Sequence, residues 1–349
     1  MNALIILTIC VLSAVTAASQ TLSNCRTDTP FNSNAKPSVV GIELSRDEKT
    51  LLIAGSDAKV RYLDTATGNV TRTLSGHTNS LYKAIYSPDE KLIVTSSRDH
   101  TARLWDAASG QLVRTLDGFR CAVKAVAFSP DGRLVGASGN DGMLKLWEVA
   151  TGREVRSMVH LDSKDIDMAV YSFVFTAYGK RIFAANGDGT ISEWDVATGR
   201  ETANWKGGEP SQVTLAMSRD HKMIASFGVA TIKLWDAATR REIRAIDVPR
   251  ARGDAPLATA ITFSPNGKLL AASSSGLDAK GATYLYIQTV VWDARTGKQM
   301  FVLKDQKFDI SGLRFTRDSR TLLTGSVDGT IDFWDMKTGT LRRTISIRK

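Results

Sequence analysis

The residues that most often carry out catalysis or bind metals are few and scattered in this 349-residue sequence. Its four histidines lie at positions 77, 100, 160 and 221, and none belongs to a His-Glu-x-x-His metal motif. The sequence also lacks a phosphate-binding Gly-Lys-Ser loop, a Gly-x-Ser-x-Gly nucleophile turn and a Cys-x-x-Cys pair. We therefore predict a protein that is not an enzyme, with no catalytic residues, no metal site and no cofactor.

A pair made of a large apolar residue and an acid recurs along the chain. The seven occurrences are Leu63-Asp64, Trp105-Asp106, Trp147-Glu148, Trp194-Asp195, Trp235-Asp236, Trp292-Asp293 and Trp334-Asp335. Subtraction gives spacings of 42, 42, 47, 41, 57 and 42 residues, and six of the seven tryptophans occupy this position. A period in the low forties predicts a β-propeller with one four-stranded sheet, or blade, per repeat.

Two further landmarks occur within the repeats. An apolar run ending in a Ser-containing turn, as in AVAFSPDG, indicates a β-hairpin. An Asp falls six residues before the Trp position in five repeats, at residues 57, 99, 141, 188 and 328. Each repeat thus reads as four strands, and a ring of such sheets lets each sheet cover its neighbour. We predict an all-β fold, a seven-bladed propeller of four-stranded antiparallel blades.

The three landmarks resemble the WD40-repeat β-propeller family over residues 38 to 349. The resemblance implies a hydrogen-bonded tetrad of a Trp, a strand hydroxyl, a His and a turn Asp. The second blade alone carries the full set, which we predict to be His77, Ser97, Asp99 and Trp105, with Ser96 as the alternative hydroxyl. Phe119 replaces the His in the third blade, Leu63 replaces the Trp in the first, and the fifth lacks the turn Asp. We therefore expect apolar packing between sheets to hold most blades.

The N-terminus has a different composition. Residues 1–19 contain an uncharged apolar run that ends in small residues, which predicts a signal peptide cleaved near residues 17–19. The run is shorter than the ~20 residues that a membrane span needs. Residues 20–37 are expected to be a polar leader, and residues 38–349 the propeller. This predicts an exported protein of the bacterial type, periplasmic or secreted, with no membrane span after cleavage; a retained anchor and a lipid-modified Cys25 remain alternatives.

Two of the three cysteines would remain after cleavage, Cys25 in the leader and Cys121 before the third blade. An exporting compartment permits a disulfide between them. Spacing alone does not show whether their geometry allows it, so a bridge and two free thiols both stay open.

Extra residues interrupt the repeat at three places, within the segments MVHLDSKDID, DVPRARGDAP and SSSGLDAKGATYLY. All three fall in turns between second and third strands or in links between blades. Because neighbouring strands are antiparallel, these turns and links share one face of the ring. Insertions confined to one face of a repeat array indicate its binding face.

In the WD40 family, the residue five before the turn Ser begins the inner strand and often contacts ligands. By position these residues are Val40, Tyr82, Lys124, Tyr171, Val213, Thr259 and Ser311. Blades two to four thus place a Tyr, a Lys and a Tyr side by side. The side chains expected near them are Arg98, His100, Phe119 and Arg120. Aromatic and basic side chains together suit a protein or peptide partner, including an acidic one.

The net charge of +9 is spread over turns and outer strands, where it keeps exposed edges soluble. We do not expect nucleic acid to be the partner of an exported protein. We predict a non-catalytic interaction scaffold that presents one rigid face to a peptide or protein partner. The alternatives are a propeller enzyme with a channel-bound metal or redox cofactor and a binder of anionic envelope polymers. The sequence does not determine the partner, the pathway or the oligomeric state.

Overall fold

A computed structural model describes residues 36–160, 169–210, 213–249, 256–277, 284–304, 306 and 308–348. Within them the chain forms seven four-stranded antiparallel sheets and no helix, which confirms the predicted seven-bladed β-propeller. The predicted signal peptide (residues 1–19) and the leader up to residue 35 lie outside the described residues, so both remain predictions.

The strands follow one another blade by blade. Blade 1 contains β1 (Val39–Leu44), β2 (Thr50–Gly55), β3 (Val60–Asp64) and β4 (Val70–Leu74). Blade 2 contains β5 (Leu81–Tyr86), β6 (Leu92–Ser97), β7 (Ala102–Asp106) and β8 (Leu112–Leu116). Blade 3 contains β9 (Val123–Phe128), β10 (Leu134–Gly139), β11 (Met143–Glu148) and β12 (Glu154–Val159). Blade 4 contains β13 (Val170–Phe175), β14 (Arg181–Asn186), β15 (Thr190–Asp195) and β16 (Glu201–Lys206).

Blade 5 contains β17 (Thr214–Met217), β18 (Met223–Phe227), β19 (Thr231–Asp236) and β20 (Glu242–Asp247). Blade 6 contains β21 (Leu257–Phe263), β22 (Leu269–Leu277), β23 (Tyr284–Asp293) and β24 (Gln299–Leu303). Blade 7 contains β25 (Ile310–Phe315), β26 (Thr321–Ser326), β27 (Thr330–Asp335) and β28 (Leu341–Ser346). Every blade is built from four consecutive strands, as expected, and among the described residues no strand from elsewhere completes the last one.

The alternation of strand direction gives the ring two distinct faces. We call the face at which the first strand of each blade begins the upper face, and the opposite one the lower face. Turns between second and third strands, and the links between blades, lie on the upper face. The three sequence insertions are flanked by strand ends on this face, at Val159 and Val170, at Asp247 and Leu257, and at Leu277 and Tyr284.

Apolar packing between neighbouring sheets forms the core, as the incomplete tetrads led us to expect. In the described part of the chain, each of seven buried clusters spans the boundary between two adjacent blades. Between blades 7 and 1, for example, Val39 and Leu51 pack with Leu323 and Phe333. Each fully buried aliphatic side chain of this kind contributes about 1.5–3 kcal/mol.

Arginines on several outermost strands join one blade to the next. Arg72 of β4 donates to the Ala107 carbonyl at 3.2 Å, in the turn after the Trp-Asp pair of blade 2. Arg114 of β8 likewise donates to the Ala150 carbonyl at 3.0 Å. Part of the basic charge on the outer strands therefore satisfies turn carbonyls of the neighbouring blade, in addition to the solubilising role expected from sequence.

Blade 5 departs from the repeat at one turn. Six blades have a Gly in the left-handed conformation five residues after the Trp position, whereas blade 5 has Arg240 with φ of 63°. The Arg240 Nε donates to Glu193 of blade 4 at 2.5 Å, and Arg181 donates to the same carboxylate at 2.7 Å. Glu193 precedes Trp194, at a position that is apolar in the other six repeats. Two departures from the repeat thus form one ion-pair network across a blade boundary.

Cys121 is buried before β9 and is disulfide-bonded. Its partner lies outside the described residues, as does Cys25. The alternative of two free thiols is therefore wrong for Cys121.

Candidate functional site

The seven inner-strand positions singled out by sequence come together around one cavity. It opens on the upper face, has a volume of about 650 Å³, and is lined by inner-strand residues of all seven blades. The seven predicted lining residues are Val40, Tyr82, Lys124, Tyr171, Val213, Thr259 and Ser311. In every blade except blade 5, this residue lies within the first strand and is the extra residue of a β-bulge. A bulge redirects the side chain of its extra residue, which explains why these side chains face the cavity.

Cationic and aromatic groups converge on Tyr82. Lys124 Nζ donates to the Tyr82 hydroxyl at 2.9 Å, and Arg98 Nε donates to the same oxygen at 2.9 Å. The Lys124 ammonium also lies 4.1 Å from the centre of the Tyr82 ring and 5.9 Å from that of Tyr171. Such cation–π contacts hold the ammonium between the two rings. We call these four residues, Tyr82, Arg98, Lys124 and Tyr171, the basic–aromatic patch.

The remaining predicted partner-binding residues lie in loops of the upper face. His100 belongs to the β6–β7 turn and has a left-handed φ of 68°. Arg120 precedes β9, and its backbone N–H donates to Asp141 at 2.8 Å. Phe119 is 8% exposed and its ring packs on Trp147 with centroids 6.0 Å apart. It fills the place that His77 holds beside Trp105, so the prediction that it presents a surface to a partner is wrong.

The predicted tetrad forms in blade 2 with a different hydroxyl. His77 Nδ1 lies 2.7 Å from Asp99 Oδ2, and His77 Nε2 lies 2.6 Å from Thr95 Oγ1. Trp105 Nε1 donates to the same Thr95 oxygen at 2.9 Å. Ser97, which we predicted for this role, instead donates to the Asn79 carbonyl at 2.9 Å.

The choice of Thr95 follows from strand register. Trp105 pairs with Ile93, so Thr95 is its diagonal neighbour on the same side of the sheet, within reach of a long aromatic side chain. Ser97 lies two residues further away, and Ser96 points to the opposite side. The same geometry recurs in blade 7, where Trp334 donates to Thr324 at 3.1 Å. A hydroxyl ten residues before the Trp is the sequence signal that identifies this group.

Burial sets the protonation of the tetrad. It lowers the pKa of His77 below the usual value, although the hydrogen bond and charge of Asp99 act in the opposite direction. Burial alone would raise the pKa of Asp99, but its contacts with His77 and Thr101 outweigh this and lower that pKa. A neutral His77 then donates a hydrogen bond from Nδ1 to the ionised Asp99 and accepts one at Nε2 from the Thr95 hydroxyl. This role is structural, because the group is buried between two sheets.

Sequence reasoning missed the charges inside the channel. Glu43 of β1 accepts a hydrogen bond from Arg314 of β25. Both residues line the upper cavity and also a second cavity of about 570 Å³ that opens among lower-face turns. Lys83, next to Tyr82, lines the upper cavity but not the second cavity. The available signal was a charge in an otherwise apolar inner strand.

A second histidine contact was also missed. His160 Nε2 lies 3.2 Å from Asp188 Oδ2, and the His160 side chain is buried at the end of blade 3. Asp188 is the turn Asp of blade 4, so this pair repeats half of the blade 2 tetrad. Ala184 occupies the position that Thr95 holds in blade 2, so blade 4 has no hydroxyl there to complete a tetrad.

Two further observations concern the described residues as a whole. Among them, no three His, Cys, Asp or Glu side chains are grouped as ligands of a metal ion. The same part of the chain contains no helix with the length and apolar character of a membrane span. The tips of the three insertions, including residues 161–168, 250–255 and 278–283, fall outside the described residues, and so do the side chains of Tyr284 and Tyr286.

Comparisons with known proteins match three of the repeats. Residues 68–106, 110–148 and 297–335 match the family model described as "WD domain, G-beta repeat". These segments begin before the last strand of one blade and end at the acidic residue of the Trp-Asp pair in the next. No match was found among the curated proteins.

Proposed function

We propose that this chain, whose three matched repeats and seven blades support the WD40-repeat propeller family, is a non-catalytic interaction scaffold. Proteins of this fold commonly bind other proteins, and the upper face offers a site suited to that work. The observation that carries the proposal is the convergence of Lys124 and Arg98, from different blades, on the Tyr82 hydroxyl.

The chemistry of the patch favours a peptide or protein with acidic groups. Tyrosine and arginine are the residues most enriched at energetic centres of protein interfaces, because they combine apolar area with directed hydrogen bonds. Here the cations are held by aromatic rings on a rigid sheet edge, so little side-chain freedom is lost on binding. His100 and Arg120 extend the proposed surface along the neighbouring loops.

Export to the periplasm or the extracellular space is a second part of the proposal. It rests on the apolar segment of residues 1–19 and its small-residue end. The disulfide at Cys121 supports it, since oxidising compartments maintain such bonds.

Affinity capture tests the scaffold proposal. We expect the Tyr82→Ala/Lys124→Ala/Tyr171→Ala variant of the full chain to recover at least tenfold less partner than wild type, because it removes the centre of the interface. The matched control is Lys91→Ala/Tyr178→Ala, which removes a Lys and an 87% exposed Tyr from lower-face turns.

Equal recovery of the same partners by wild type and the triple variant would contradict the proposed patch. Stoichiometric metal or a visible chromophore in the purified protein would favour a propeller enzyme instead. Salt-sensitive binding to anionic polymers, without a protein partner, would favour envelope-polymer binding.

A further inference from the structure

The upper cavity is chemically two-sided. Blades 2 to 4 contribute Tyr82, Lys83, Lys124 and Tyr171. Blades 5 to 7 contribute small neutral groups such as Thr259 and Ser311, and blade 7 adds one acid and one base, Asp309 and Arg314. A volume of about 650 Å³ falls in the range of pockets that enclose a small ligand or a side chain. A segment that enters the cavity therefore meets two lysines and two tyrosines together on the side of blades 2 to 4.

Two of those cations have no carboxylate of their own. Among the described residues, neither Lys83 nor Lys124 has an Asp or Glu oxygen within 4.0 Å. Glu43, whose charge acts on Lys83, accepts a hydrogen bond from Arg314. Burial lowers the pKa of Lys83; Glu43 opposes this and Arg314 adds to it. The formal charges that line the cavity are those of Lys83, Lys124 and Arg314 against those of Glu43 and Asp309, an excess of one positive charge.

The Tyr82 hydroxyl has a proton left to donate. Its oxygen accepts two hydrogen bonds, from Lys124 and Arg98, and these use both of its lone pairs. The described residues provide no acceptor for the O–H of Tyr82. An anionic oxygen placed beside it would accept that proton and would also approach the Lys124 ammonium.

We propose that the upper cavity is a carboxylate-binding site, which takes an acidic side chain of the partner between Lys83 and Lys124 and against the Tyr82 hydroxyl. This inference rests on the proposed scaffold function and specifies what the partner inserts. Charge-assisted hydrogen bonds from ammonium groups are about twice as strong as neutral ones, so an Asp or Glu is preferred over its amide.

Two capped peptides test the inference, Gly-Asp-Gly-Asp-Gly and the same sequence with Asn in place of Asp. Calorimetry of the full chain is expected to show the acidic peptide binding about tenfold more tightly than the amide peptide. Lys83→Met should abolish this preference, and Lys83→Arg should retain it. The control Lys91→Met, whose ammonium is exposed on the lower face, should behave as wild type.

Equal affinity for the two peptides, no binding of the acidic peptide, or an unchanged preference in Lys83→Met would each overturn the carboxylate site. Thermal unfolding of Lys83→Met and Lys83→Arg establishes that both variants are folded. The two proposals can fail separately. If the triple Ala variant loses the captured partner while Lys83→Met retains it at full affinity, the scaffold proposal stands and the carboxylate site does not.

Discussion

Replacing Asp99 by Ala is expected to lower the free energy of unfolding by about 3 kcal/mol, because it removes a buried carboxylate that accepts several hydrogen bonds. The Asp99 carboxylate accepts hydrogen bonds from His77, from the Thr78 N–H at 3.1 Å and from the Thr101 hydroxyl at 2.6 Å. Without it, these donors are left in a site where water has little access. Chemical denaturation of the variant and wild type measures the difference.

Blade 3 provides a matched control for this variant. Asp141 occupies the same turn position but accepts from two backbone N–H groups, those of Arg120 and Met143, and no histidine reaches it. Asp141→Ala is therefore expected to cost about 1 kcal/mol, in the range of an ordinary hydrogen bond. Equal losses for the two variants would show that the tetrad adds nothing to the stability of blade 2.

The same group makes stability depend on pH. Since the pKa of His77 is lowered in the folded protein, the unfolded chain takes up a proton first as the pH falls below about 6.5. Stability is therefore expected to decline from that pH downward. The lowered pKa of Asp99 adds a further loss below about pH 4. The His77→Phe variant, which copies blade 3, should lose the first of these two components.

Removing both arginines that contact Glu193 is expected to produce the largest loss, about 4 kcal/mol for Arg181→Ala/Arg240→Gly. The Glu193 side chain is 2% exposed, and the two guanidinium groups are its ion-pair partners. Burial acts to raise the pKa of Glu193, but hydrogen bonds from Arg181 and Arg240 outweigh it and lower that pKa. Without them, the carboxylate is left buried and uncompensated. Chemical denaturation measures the loss.

Adding Glu193→Leu to that variant is expected to recover most of the lost stability. The residue before the Trp is apolar in the other six repeats, and Leu occupies it in blades 2, 3 and 5. Glycine at position 240 also removes the left-handed strain of an arginine, by roughly 1 kcal/mol. Glu193→Leu alone should not stabilise the wild type. A triple variant as unstable as the double would show that the buried carboxylate is not the cause.

The fold was predictable because the same packing problem is solved seven times. Each Trp-Asp pair marks the end of a third strand, and the strand order of all seven blades followed from that register. The failures concern single side chains within correctly placed strands. Ser97 and Thr95 share a strand and a chemical group, and cross-strand register alone shows which one Trp105 reaches.

The candidate site was partly predictable for a related reason. Tyr82, Lys124 and Tyr171 were found because they occupy equivalent positions of adjacent repeats, which a ring must bring together. Phe119 was assigned to the partner surface although it replaces the tetrad His of blade 3, and in that position its ring packs on Trp147. The Glu43–Arg314 pair joins residues 271 positions apart, so it becomes visible only after the ring has closed.

The boundary between blades 7 and 1 differs from the other six in how its two sides meet. Elsewhere, neighbouring blades are also neighbours in sequence, as when Arg72 contacts a turn 35 residues away. At this boundary, Ser311 donates to the Val39 carbonyl across 272 residues, and no described strand is exchanged between the two blades. We expect the closing contact to form after the intervening sheets, since the entropic cost of closing so long a loop falls once the chain between its ends is ordered. We therefore expect the circle to close late in folding, and this boundary to be the first to open on heating.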